Sequence, residues 1–112
     1  MNERPRLDAL FVYGSLLEET KRDEILDHRV EVIPARLDGY ERGRGRYFYL
    51  VRADGISTRG LIMLGLGDED WRRLDAYEEL PILYTREQVE VTTADAILLC
   101  WVYLPTPNCI RL

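Results

Sequence analysis

Histidine and cysteine are scarce in this chain: one histidine and two cysteines stand among 112 residues. A zinc or iron centre needs three or four such ligands at short spacing, so no metal site is expected. Two cysteines do not make a disulfide framework, and Cys100 lies in an apolar run where a free thiol behaves as a small core hydrophobe. Basic charge is in deficit, with 15 Lys and Arg against 20 Asp and Glu and a net charge of −5, which argues against general attraction to nucleic acid or anionic lipid. Gly39, Gly43 and Gly45 lie in a Tyr- and Arg-rich stretch with no helix pattern after them, so no phosphate loop is readable. No run approaches the roughly 20 apolar residues of a membrane span, and Asp8 and Gly14 interrupt the apolar start that a signal peptide would need. A reducing, cytoplasmic compartment is the expectation, with residues 1–112 forming one domain, since repeats, low-complexity tracts and linker-like shifts are lacking.

What is present is β-prone. Residues 9–13 form a short apolar run stopped by Gly14, which suits an interior strand. A charged segment over residues 18–29, with Ile25 and Leu26 as its apolar marks, reads as a surface helix. Residues 30–37 alternate around Pro34 and suggest an edge or bulged strand. Two further strands, 46–52 and 58–66, flank Asp54-Gly55, a hairpin signal. Asp68 reads as an N-cap with Glu69 and Asp70 in the first helical turn, and the helix stops before Pro81. Strands follow over 84–92 and 97–104, the last continuously apolar and so needing cover on both faces. About six strands and two helices point to an α+β domain: a curled, mixed or antiparallel sheet forming a partly closed barrel with two flanking helices. The tail from 105 reads as a surface segment.

Two segments carry chemistry. Phe11-Val12-Tyr13-Gly14-Ser15-Leu16 is a strand that breaks at glycine, where a run of backbone N–H groups could hold an anion or a developing oxyanion. Leu74-Asp75-Ala76-Tyr77-Glu78 puts an acid where a core residue belongs: Glu78 falls on the stripe defined by Trp71 and Leu74. Such a carboxyl is either desolvated, which raises its pKa toward the range useful for proton transfer, or paired with a cation such as Arg86, Arg72 or Arg46. Spacing alone leaves both readings open, and for the Gly14 segment an ordinary strand-to-turn exit is equally consistent with the pattern.

Taken together, in this order and at this separation, the two segments resemble the γ-glutamylcyclotransferase-like superfamily, and more closely its small AIG2-like branch. Leu37-Asp38-Gly39-Tyr40, Gly60-Leu61-Ile62 and Tyr84-Thr85-Arg86 extend the similarity over about residues 10–104. The resemblance implies that backbone N–H groups of Gly14, Ser15 and Leu16, in a loop opened by Tyr13, hold a small γ-glutamyl substrate, and that Glu78 is the catalytic acid and base. In active members the substrate's α-amine attacks its own γ-carbonyl, releasing an amine and 5-oxoproline, with no cofactor. Tyr47 and Tyr84 are candidate pocket residues, and Arg86 a candidate partner for Glu78. Glu79 stands where the family usually has Gly, and Tyr47-Phe48 where it has Tyr-Pro.

Other chemistries are weaker. Arg42, Arg44 and Arg46 alternate near Tyr40, Tyr47, Phe48 and Tyr49 in the manner of a single-strand nucleic-acid surface, but the acidic balance favours a solvated face, and one of these arginines could instead pair with an anionic substrate group. Ser15 and His28 lack the Gly-x-Ser-x-Gly elbow of a serine hydrolase. A non-catalytic module that binds a small metabolite or a protein on the same fold is the alternative to the enzyme.

Overall fold

The computed structural model describes residues 3–112; Met1 and Asn2, the start of the segment read above for a targeting signal, lie outside the described residues. Five strands, β1 (Glu3–Val12), β2 (Val32–Arg44), β3 (Phe48–Met63), β4 (Tyr84–Thr92) and β5 (Ile97–Pro105), close into a barrel in the order β1-β3-β2-β4-β5. The barrel is mixed, because β1 and β5 run parallel while the other pairs are antiparallel. It is therefore closed rather than partly closed. Three helices accompany it, α1 (Glu19–Leu26), α2 (Asp68–Tyr77) and α3 (Pro107–Arg111), with a 3-10 turn at Ser15–Leu17.

Alternation along the strands divides the apolar side chains between two cores. Phe11 of the first strand and Tyr13 just beyond its end, with Leu98, Cys100 and Val102 of the last, fill one core together with Leu37, Leu50 and Ile62. Their neighbours Leu10, Val12 and Tyr103 point the other way, into a second core with Leu26, Leu74 and Met63. This is why residues 97–104 are continuously apolar. The thiol of Cys100 is fully buried and its pKa is pushed up to about 12 by that burial.

The Asp54-Gly55 hairpin is not formed. Residues 48–63 are one strand that pairs with β2 on both sides of this point, Tyr40 opposite Arg52 and Asp38 opposite Ser57, so the extra residues make a bulge. Gly39 (φ 84°) and Gly55 (φ 81°) supply the left-handed backbone that the bulge needs. The chain instead reverses between Arg44 and Phe48, which joins the two expected strands into one and brings the count to five. The tail is also more than a surface segment: α3 buries Cys109, and Thr106 binds the carbonyls of Ile82 and Leu83.

Candidate active site

The acid-rich start of α2 is capped differently from the sequence expectation, with Gly67 as N-cap and the Asp70 carboxylate accepting the Gly67 N–H at 3.0 Å. The end of this helix positions Glu78. Glu79 N–H donates to Ala76 O and Leu80 N–H to Asp75 O, both at 3.1 Å, the paired bonds of a Schellman motif. Glu79 occupies the left-handed position of that motif at φ 55°, which explains the glycine usual there in the family. Glu78, as C-cap, is thereby fixed with its side chain on the Leu74 face.

Strand β1 ends at Val12, and the chain turns through Gly14. A Cβ on Gly14 would stand 3.1 Å from Phe48 Cβ, so the close approach of the β2–β3 hairpin leaves little room for any larger residue here. The 3-10 turn bonds Leu17 N–H to Gly14 O at 3.0 Å and Glu18 N–H to Ser15 O at 3.2 Å. Among the described residues the amides of Gly14, Ser15 and Leu16 have no carbonyl partner, as expected at the opening of such a turn. The buried Arg22 holds the turn from behind, donating to Leu16 O and Leu17 O at 2.9 Å each. Arg42 donates to Tyr13 O at 2.8 Å and ties the strand end to β2.

Between these elements lies a cavity of about 430 Å³, lined by Tyr13, Gly14, Ser15, Leu16, Tyr47, Glu78 and Tyr84 and also by Phe48, Tyr77, Tyr103, Arg44 and Arg46. Its floor is buried, with Tyr13, Leu16, Tyr84 and Tyr103 each at most 7% exposed; its rim is open, with Tyr47 and Tyr77 at 38%. Hydrogen bonds fix the floor: Tyr13 OH donates to Tyr103 O at 2.6 Å, Tyr103 OH to Asp75 Oδ1 at 2.6 Å, and Tyr84 OH to Phe48 O. On the rim the hydroxyls of Ser15 and Tyr77 meet at 2.6 Å, joining the amide turn to the helix that carries Glu78.

Glu78 keeps some solvent contact as a residue, yet its carboxyl is desolvated in this pocket and its pKa rises to about 7, through burial alone. The helix C-terminus works in the same direction, since it disfavours negative charge. Burial raises the pKa values of Tyr13, Tyr84 and Tyr103, and the Glu78 charge adds to the rise at all three, which marks how near these hydroxyls stand to the carboxyl. The three tyrosines therefore stay neutral hydrogen-bond donors.

Arg86 does not serve Glu78. Its Nη1 lies 3.5 Å from Asp75 Oδ1, and its guanidinium is held between the rings of Trp71 (4.4 Å) and Trp101 (5.1 Å). The two indoles and Asp75 hold the guanidinium in place, and it makes no ion pair with Glu78. Arg72 pairs with Glu69, and among the described residues no cation stands within 4 Å of Glu78. Ser15 and His28 are likewise apart: His28 Nε2 meets Asp70 Oδ1 at 2.6 Å while Ser15 meets Tyr77.

Arg22, Arg42, Asp75, Tyr77 and Tyr103 are further members of the site or its supports that the sequence reading did not select. Arg22 carries no local signal, as it looks like any charged surface residue, and Arg42 stands out only as one of three alternating arginines. Tyr77 and Tyr103 had one: a tyrosine beside the inward acid, and a tyrosine in a strand needing cover on both faces, both call for a partner to the hydroxyl.

Comparison with known proteins gives the family and the fold. Residues 10–111 match the family model described as gamma-glutamyl cyclotransferase, AIG2-like. The chain belongs to this family. Among its relatives is Protein AIG2 C of Arabidopsis thaliana, 33% identical over 94 residues, which are 81% of this chain and 56% of that protein. A solution structure of an Arabidopsis thaliana protein superposes with a TM-score of 0.80 at 26% identity, covering 92% of this chain and 71% of that one. A structure named gamma-glutamyl cyclotransferase gives 0.74 at 17% identity, over 88% of this chain and 66% of that one, and shows the shared fold. The chain spans about half the length of the curated relatives it matches, between 40% and 56%. No helix among the described residues is long and apolar enough to cross a membrane.

Proposed function

We propose that this protein is a γ-glutamyl cyclotransferase in which Glu78 moves the proton and the turn at Gly14, Ser15 and Leu16 holds the substrate. One observation carries the reading: an unpaired, desolvated carboxyl with a pKa of about 7 shares a cavity with backbone amides that have no carbonyl partner. At neutral pH such a group is present in both forms, which is what accepting and then returning a proton requires. Family membership supports the reaction class.

In this reading the amides take the carboxylate of the γ-glutamyl end, and Tyr13, Tyr84 and Tyr103 shape the floor around it. The substrate's α-amine attacks its own γ-carbonyl carbon, forming a five-membered ring with a tetrahedral centre. The Glu78 carboxylate accepts a proton from the attacking nitrogen, then returns it to the departing nitrogen as the carbon–nitrogen bond breaks. The products are 5-oxoproline and a free amine. Both reacting groups belong to one molecule, so holding it folded supplies much of the acceleration and no cofactor enters.

The test follows 5-oxoproline released from a panel of γ-glutamyl amino acids and γ-glutamyl amines. Wild type should release it, and Glu78→Gln should lose at least ~100-fold in rate while remaining folded, the usual contribution of a positioned acid and base. Ligand-induced thermal stabilisation without any product would instead favour a binding module.

A further inference from the structure

Three alternating arginines stand at or beside the cavity, and their roles differ. Arg42 is committed to the Tyr13 carbonyl at 2.8 Å. Arg44 and Arg46 line the cavity on its exposed rim and are in no ion pair among the described residues. Arg36, Arg72 and Arg86 each face a carboxylate, whereas Lys21, Arg59 and Arg111 are, like these two, in no ion pair among the described residues; what sets Arg44 and Arg46 apart is that they line the cavity. The guanidinium of Arg44 lies 4.8 Å from the Phe48 ring centroid and that of Arg46 lies 5.8 Å from that of Tyr47. An aromatic ring engages the flat face of a guanidinium and leaves its N–H edge free, the edge that takes carboxylates two bonds at a time.

We infer that the group released from the substrate is an acidic amino acid or a short acidic peptide, whose carboxylates are taken by Arg44 and Arg46. The inference rests on the cyclotransferase reading above for where the γ-glutamyl end sits. With that end on the buried floor, the departing group extends outward across the rim. Phe48, which carries Arg44, packs directly on Gly14, so the first arginine stands beside the amide turn. One exposed acid, Glu79, also lines the rim, which leaves two guanidinium groups against a single carboxylate. A departing residue with two carboxylates offers one to each guanidinium. One that carries a positive charge does not.

The experiment compares kcat/KM for γ-glutamyl-glutamate with that for γ-glutamyl-glutaminamide, in which both carboxylates of the departing residue are amides. Wild type should prefer the acidic compound by about tenfold or more at low salt, and added salt should reduce the preference. In Arg44→Gln/Arg46→Gln the ratio should fall toward one, and in the double lysine variant, which keeps charge but loses the planar fork, to an intermediate value. Equal use of both compounds by wild type, or an unchanged ratio in the glutamine variant, would overturn the inference. If neither compound yields 5-oxoproline, the cyclotransferase reading fails, and thermal stabilisation decides the subsite: greater stabilisation by γ-glutamyl-glutamate, lost in the double glutamine variant, upholds it. No difference between the two compounds would overturn it.

Discussion

Glu78→Gln is expected to make the protein more stable above neutral pH while removing its activity. The Glu78 carboxyl has a pKa of about 7 in the folded chain against an ordinary value of 4.5, so between these values the folded state holds a proton that the unfolded state has lost. Relative to alkaline pH, that proton favours the folded state fully below 4.5, and the advantage is lost as pH rises through about 7. At 1.36 kcal/mol for each tenfold step, the loss is roughly 3 kcal/mol for a fully desolvated group. Glutamine cannot ionise and fills nearly the same volume. Urea unfolding of wild type and variant at intervals from pH 5 to pH 8 isolates the effect, because other titrating groups, the His28–Asp70 pair included, are common to both. Because part of the loss is already complete at pH 5, the difference in unfolding free energy should grow by roughly 2 to 3 kcal/mol in favour of Glu78→Gln across this range. Parallel pH curves would refute the reasoning, since they would mean that Glu78 ionises in the folded state as easily as in water.

Gly60→Ala should be among the most damaging single-methyl additions, because its Cβ would lie 2.2 Å from Val12 O between two barrel strands. A loss of about 3 kcal/mol or more, read as a fall in Tm, is expected. Glu79→Gly should be neutral to stabilising, by about 0.5 kcal/mol, as glycine removes the penalty of φ 55° but adds freedom to the unfolded chain; denaturant midpoints decide this. Asp70 holds His28 protonated above the ordinary imidazole value, and the ion pair links the end of α1 to the start of α2. Its stabilisation should be complete below pH 6.5 and lost as pH rises through the higher folded value, so His28→Gln should flatten the thermal stability of the protein across that window.

Much of the barrel was legible because its signals are local. Residues 9–13 and 97–104 announce buried strands, and the acids at 68–70 and Pro81 bracket the helix that ends at Glu78. Asp54-Gly55 misled for a physical reason: the left-handed glycine is real, but the partner strand continues past it, and only the pairing of β2 with β3 shows a bulge in place of a turn. Barrel closure through the parallel β1–β5 pair joins segments about as far apart as the chain allows, and no local pattern reports it. At the site, the glycine break and the inward acid could be read from spacing, whereas the fate of Arg86 could not. Two tryptophans thirty residues apart and Asp75 had to converge on it first. The same holds for Tyr13 and Tyr103, whose bond spans 90 residues of chain.

The most direct test of a single unpaired carboxyl facing the amide turn is the pH dependence of kcat/KM for 5-oxoproline formation. Wild type should lose activity as pH falls, with an acidic limb centred near 7 that reports protonation of Glu78 in the free enzyme. A profile that stays flat down to pH 5, or a Glu78→Gln variant that retains wild-type rates, would contradict the account.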